Sequence, residues 1–210
     1  MSLEHFKKSL KNAPVIKKGD YSYIIHPITD GIPEIKPELL KEIINKMKKH
    51  IEKFLPIDKI VTIESMGIPL ATALSLDMDI PFTIIRKRKY GLEGEISVDQ
   101  VTGYSKSKLY INGLKKGDNV IIVDDLISTG GTLKAVLSGL KQIGVNVKGV
   151  VVAVDKGDFA KEISNEIHNN ITSIVELDVI GDIVGIQWFL FNRYIVGKYK
   201  ILSSFPAYRK

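Results

Sequence analysis

The stretch Val120-Ile121-Ile122-Val123-Asp124-Asp125-Leu126-Ile127-Ser128-Thr129-Gly130-Gly131-Thr132-Leu133 constrains the fold more than any other part of the chain. The β-branched apolar run from Val120 to Val123 reads as a strand covered on both faces, as in a parallel sheet. Two carboxylates, Asp124 and Asp125, stand where that strand leaves the core. A short Ser/Thr/Gly turn follows, and then Leu133, Val136, Leu137 and Leu140 recur at the spacing of one helix face. Ligands in open α/β sheets collect beyond the carboxyl ends of strands, so this strand–turn–helix unit predicts a binding site.

The residue types of the turn narrow the ligand. Gly130 and Gly131 permit positive φ and let a ligand approach bare backbone. Amides from Ser128 to Thr132, at the positive end of the following helix, suit an anion such as phosphate. The hydroxyls of Ser128, Thr129 and Thr132 add donors. Adjacent carboxylates would repel that phosphate unless they face another part of the ligand; a sugar diol or magnesium satisfies them. A plain turn with Ser128 or Thr129 as helix N-cap needs neither the second aspartate nor both glycines. A P-loop is a poorer match, because Thr132 stands where that motif requires lysine after its last glycine.

Composition bounds the rest. With 210 residues, 44% of them hydrophobic and 26% charged, the chain can bury a core as a single domain over 1–210. No apolar run spans a bilayer, the first residues lack a signal-peptide core, and cysteine is absent, so a cytoplasmic protein with no membrane partner is expected. The net charge of +6 suits anionic ligands. The basic residues are scattered in short clusters, such as Arg86 to Lys89, so nucleic acid is not expected as the main ligand.

Apolar runs at 59–63, 81–85, 120–123, 147–154 and 173–180 alternate with helical patterns. They predict an α/β fold with an open, mostly parallel sheet and flanking helices. Pro37 opens a helix expected to reach about Leu55. Residues 15–35 read as extended segments and turns, with His26 in a structural role. Glu64-Ser65-Met66-Gly67 fills a second strand-to-helix bend, one βα unit ahead of the acidic pair, and the next strand ends in Arg86 and Lys87. From Tyr90 to Lys108 apolar periodicity is lost, which predicts a long functional loop. The aromatic tail from Val184 onward predicts extra strands or a dimer face.

The sequence at 120–132 resembles the phosphoribosyl-diphosphate (PRPP) signature of type I phosphoribosyltransferases, a resemblance that extends over about residues 15–180. It implies that Asp124 and Asp125 bind the ribose hydroxyls at the catalytic centre, with Mg²⁺ carried by the substrate nearby. Ser128, Thr129, Gly130, Gly131 and Thr132 would hold the 5-phosphate. Glu64, Ser65, Met66 and Gly67 would form the diphosphate loop, with Arg86 and Lys87 as its clamp. Residues 88–108 would be a mobile lid carrying Tyr104 and Ser105. Residues 15–35 would build a small hood in which Tyr23 or Ile25 faces the base, and Lys156 would donate to a purine 6-oxygen. A homodimer or higher homo-oligomer is implied as well.

Three positions depart from the family pattern. Met66 stands where adenine-type enzymes carry arginine. Gly103 stands where an acid precedes the lid tyrosine, leaving Glu93, Glu95 or Asp99 as replacements. Ser128 stands where 6-oxopurine enzymes carry an aspartate base. The run from Ile84 to Glu95, with Gln100-Val-Thr-Gly-Tyr-Ser, is similar to archaeal hypoxanthine/guanine phosphoribosyltransferases, which share an adenine-type framework. Purine salvage giving IMP or GMP is therefore the implied activity. An adenine enzyme giving AMP and a PRPP-sensing transcription regulator are the alternatives.

Overall fold

Side chains alternate across a strand, so a continuous apolar run needs helices on both faces of its sheet. The computed structural model describes residues 3–18, 21–101, 106–157, 159–167, 170–180 and 183–186. Helix α1 (Glu4–Lys11) leads into a hairpin of β1 (Val15–Lys18) and β2 (Tyr21–Ile24), a single turn α2 (Pro27–Asp30) and helix α3 (Pro37–Ile51). Then come β3 (Lys59–Ile63), α4 (Gly67–Met78), β4 (Phe82–Ile85) and a second hairpin of β5 (Ile96–Val101) and β6 (Lys106–Ile111). The rest is β7 (Asn119–Ile127), α5 (Gly131–Ile143), β8 (Asn146–Lys156), α6 (Phe159–Ile167), β9 (Ile171–Ile180) and β10 (Ile183–Ile186).

The six-stranded central sheet has the order β10-β9-β8-β7-β3-β4. Its pairs are parallel except β9 with β10. Ile121 and Val123 pack with Ile43, Met47, Leu70 and Leu74 of α3 and α4 on one face. Val120 and Ile122 pack with Leu133, Val136, Leu140 and Ile163 of α5 and α6 on the other. All twelve are buried, and each large aliphatic contributes about 1.5–3 kcal/mol relative to an exposed position.

Chain order explains where a ligand can sit. From β3 the chain steps outward to β4, then returns to the opposite side of β3 as β7. Strand order reverses between β3 and β7, and a crevice opens beyond their carboxyl ends. β7 also outruns its neighbour: pairing with β3 stops at Thr62↔Val123, whereas pairing with β8 continues to Ile127↔Asp155. From Asp124 onward one edge of β7 therefore faces the crevice.

The helix expected to reach Leu55 ends its α-helical part at Ile51 and closes with a 3₁₀ turn over Glu52–Phe54. Pro56 excludes helical geometry for the residue before it, and Leu55 is extended at ψ 145°. His26 is buried and its pKa is lowered to about 4 by that burial, so it is neutral at pH 7. Its Nδ1 accepts from the Ile28 amide at 3.2 Å, and its Nε2 lies 2.9 Å from Ser9 Oγ. No helix among the described residues is long and apolar enough to cross a membrane.

The loop predicted for Tyr90 to Lys108 is largely a hairpin, which corrects the sequence reading. β5 and β6 pair from Ile96↔Ile111 to Val101↔Lys106. Val98, Leu109 and Ile111 are buried in the cluster built on α5. A two-stranded ribbon covers one face only, so its buried residues alternate with others over a few positions and give no helical or long continuous signal. Tyr104 and Ser105 lie outside the described residues, as does the tail beyond Ile186.

Glu95 closes the approach to this hairpin. Its carboxylate accepts from the amides of Tyr90 and Gly91 and from Asn112 Nδ2, at 2.9, 3.1 and 2.9 Å. The Asn112 bond leads in holding its pKa below the ordinary value. Glu95 is thus a clip on the loop and not an acid in the crevice. Glu95→Ala is expected to speed hydrogen exchange at the Tyr90 and Gly91 amides while turnover persists. Lost turnover with unchanged exchange at those amides would return Glu95 to the chemistry.

Candidate active site

Two βα bends meet at the crevice. After β3, Glu64, Ser65 and Met66 turn the chain into α4, and the Glu64–Ser65 peptide is cis. After β7, Ser128, Thr129 and Gly130 turn it into α5. Gly130 has φ +72°, a left-handed conformation, and its carbonyl accepts the first helical bond from Lys134 N at 2.9 Å. The leading amides of α5 have no intrahelical acceptor, which is the state that suits an anion.

These bends and the first hairpin enclose a cleft of about 290 Å³. One wall is Glu64, Ser65, Met66 and Lys87. The floor is Asp124, Asp125, Ser128, Thr129, Gly130 and Thr132. A third wall carries Tyr21, Tyr23, Ile24 and Lys156. Most of the residues singled out in the sequence thus meet in one place, though they range along the chain from Tyr23 to Lys156.

Other positions differ from expectation. Ile24, not Ile25, lines the cleft, beside Tyr21 and Tyr23. Arg86 does not line it. Its Nε donates to Glu64 Oε2 at 2.9 Å, and the Lys87 amide donates to the same oxygen at 3.0 Å. The Lys87 bond first and the Arg86 contacts next hold the Glu64 carboxyl below its ordinary pKa. Glu64 therefore fixes the end of β4, and of Arg86 and Lys87 it is Lys87 that reaches the cleft. Gly67 and Gly131 stand behind the lining. Lys156 is the last residue of β8. Its ammonium bonds the Ser22 carbonyl and lies 3.7 Å from the centre of the Tyr21 ring, tying the first hairpin to the sheet.

Sequence reasoning missed Thr29, Asp30 and Gln100, all of which line the cleft. Thr29 and Asp30 belong to a Thr-Asp-Gly turn that reads as punctuation, and Gln100 belongs to the hairpin taken for a loop.

The floor is electrostatically loaded. Asp124 is raised from 3.8 to about 6, chiefly by burial. Asp125 is pushed well above its ordinary value, by burial first and then by the charge of Asp124, with Asp30 adding to it. Both side chains keep a strip of surface toward the cleft. Upward is the direction the geometry supports, since two carboxylates side by side cannot both ionise freely out of water. A site that stores this repulsion is built to receive positive charge or hydroxyl donors.

A parallel sheet with its site at the strand-order reversal, an anion cradle after paired aspartates and a second βα bend opposite them define a type I phosphoribosyltransferase, and the chain belongs to this family. The model of the phosphoribosyl transferase domain matches residues 34–187. The chain is 51% identical to a hypoxanthine/guanine phosphoribosyltransferase of Methanocella paludicola, over 84% of this chain and 91% of that protein. It is 53% identical to the protein of that name in Ferroglobus placidus, over 83% and 92%. Among solved structures, the adenine phosphoribosyltransferase of Saccharomyces cerevisiae aligns with a TM-score of 0.65 at 25% identity, over 81% of this chain and 98% of that one. That of Rhodothermus marinus aligns with a TM-score of 0.68 at 23% identity, over 83% and 98%, a likeness of fold alone.

Proposed function

We propose that this phosphoribosyltransferase works in purine salvage, moving the 5-phosphoribosyl group of PRPP to N9 of hypoxanthine or guanine and releasing diphosphate with IMP or GMP. The observation that carries the choice of base is identity of about one half, over more than four fifths of the chain, with relatives named for that activity. In this reading Ser128 to Thr132 cradle the 5-phosphate and Asp124 with Asp125 grip the ribose diol. The amides of Ser65, Met66 and Gly67, together with Lys87, receive the diphosphate. Residues 15–35 act as the hood and 88–108 as the lid.

The mechanism then follows from charge. As the C1–O bond breaks, positive charge grows on the ribosyl group and negative charge on the departing diphosphate. Lys87 and the bend amides stabilise the second, the carboxylates beneath the ribose stabilise the first, and the N9 lone pair forms the new bond while the imidazole proton of the free base leaves to solvent. Tyr21, Tyr23 and Ile24 supply an apolar wall for the base, and Lys156 is the cation on the same side, available to a 6-oxygen. The acidic pair also fits magnesium. It offers hard oxygen donors, yet among the described residues no cluster of three metal-ligating side chains exists, so oxygens of PRPP would complete the shell. Bound there, magnesium would supply neutralisation of the diphosphate charge. We further propose a cytoplasmic homodimer, which light scattering tests.

Incubation with PRPP, magnesium and, in turn, adenine, hypoxanthine, guanine, xanthine and orotate tests the reading. Nucleotide is expected from hypoxanthine and guanine. AMP alone would reassign the enzyme to adenine. Turnover of no base would favour a PRPP sensor.

A further inference from the structure

Thr132 opens the first turn of α5, and its hydroxyl is already engaged. Gln100 Nε2 donates to Thr132 Oγ1 at 2.6 Å, while Gln100 Oε1 accepts from Ser107 Oγ at 2.8 Å. Ser107 is the cross-strand partner of Gln100 in the β5–β6 hairpin, so the amide is held from its own ribbon. Gln100 is 9% exposed, and both it and Thr132 line the cleft. A nearly buried amide with both ends satisfied does not turn freely.

A hydroxyl carries one proton and accepts through its lone pairs. With Gln100 donating to Thr132 Oγ1, the threonine proton must leave in another direction. Without that bond, a threonine in a helix can turn its O–H to a neighbouring backbone carbonyl. We propose that Gln100 is a positioning residue for the 5-phosphate subsite: it holds the Thr132 hydroxyl as a donor to the phosphate and ties the hairpin to the phosphate cradle. The inference rests on the reading of the Ser128–Thr132 turn given above. It assigns a role to a side chain on a different element that does not itself need to touch the phosphate.

The test uses Gln100→Met, which keeps the length and removes both amide groups. Calorimetric titration with ribose 5-phosphate and, separately, with diphosphate resolves the two subsites. Ribose 5-phosphate binding is expected to weaken roughly tenfold, the scale of one hydrogen bond to a charged group, with diphosphate binding unchanged. The KM for PRPP should rise by a similar factor while kcat stays within about twofold. On a Thr132→Val background the Gln100→Met change should add nothing to the loss of ribose 5-phosphate affinity, because the pair acts as a unit. Unchanged or tighter ribose 5-phosphate binding would overturn the proposal, since it means that the amide had been drawing the hydroxyl away. Equal weakening of both ligands would also overturn it, as the sign of a merely structural role. If the wild-type chain itself fails to bind ribose 5-phosphate, the reading of the turn fails with it. If the wild type binds and the Met variant matches it, only the role of Gln100 is lost.

Discussion

Asp125→Asn is expected to raise the KM for PRPP by roughly 10–100-fold and, in the absence of ligand, to raise the melting temperature at pH 8. The first effect follows from losing a charged acceptor for the ribose hydroxyls, a bond worth about 1.5–3 kcal/mol. The second follows from the state of the pair without ligand. Both aspartates have raised pKa values in the folded chain, Asp124 at about 6 and Asp125 well above its ordinary value. Between about pH 4, where unfolded carboxyls ionise, and the folded values, the folded chain holds protons that the unfolded chain has released. Stability from this source is therefore greatest at the acid end of that window and declines as pH rises through about 6. An amide at position 125 cannot ionise, so the part of this decline that comes from Asp125 disappears. The ligand-free variant should thus melt about 2–4 °C higher at pH 8, as for a gain of about 1 kcal/mol, and show a flatter pH profile. A melting temperature at or below wild type would mean that the pair stores no repulsion. An unchanged KM would remove the diol from this site.

Gly67→Ala is expected to injure both the fold and the reaction. A Cβ at this position would lie 2.2 Å from Thr62 Oγ1, 2.6 Å from Asp124 Oδ1 and 3.2 Å from the Val123 carbonyl oxygen. Thr62 is wholly buried on a central strand and cannot swing aside. Either the start of α4 or the end of β7 must move, and both carry the cleft. Overpacking of this kind costs about 1–3 kcal/mol, or roughly 2–12 °C in melting temperature for a chain of this size. Misplacing Asp124 by about 1 Å should lower kcat/KM by roughly 100-fold. The double variant Gly67→Ala/Thr62→Ala should recover part of the melting temperature and little of the activity, because the contact with Asp124 remains. Wild-type melting and kinetics in the single variant would show that helix and strand tolerate separation here.

Much of this architecture is legible without coordinates because its signals are local. Val120 to Val123 has to be a strand covered on both faces, and Asp-Asp followed by Ser-Thr-Gly-Gly-Thr has to be a turn with its own anion chemistry. The alternation of such runs with helical spacing sets the parallel sheet. Even the structural role of His26 is readable from its place before Pro27, while its neutrality comes from burial. The hairpin at 96–111 was illegible for a complementary reason: its burial depends on α5 lying against it, and its own residues alternate polar and apolar over a few positions.

The site divides in the same way. Residue types of the two bends are properties of the chain, so Asp124 to Thr132 could be named as a binding segment from its own residues, and Glu64 to Gly67 from the resemblance to phosphoribosyltransferases. Long-range contact alone decided which side chains face the ligand. Glu64 takes Arg86 out of the lining and leaves Lys87 in it, Lys156 is drawn onto Tyr21 and the Ser22 carbonyl, and Ile24 replaces Ile25 on the wall. Gln100 reaches Thr132 across 32 residues of chain. Local sequence fixes backbone preference and the period of burial, because these depend on a residue and its near neighbours. Partners for hydrogen bonds and charges are chosen among groups far apart in the chain, and only the packed sheet, with its helices in place, brings them within reach.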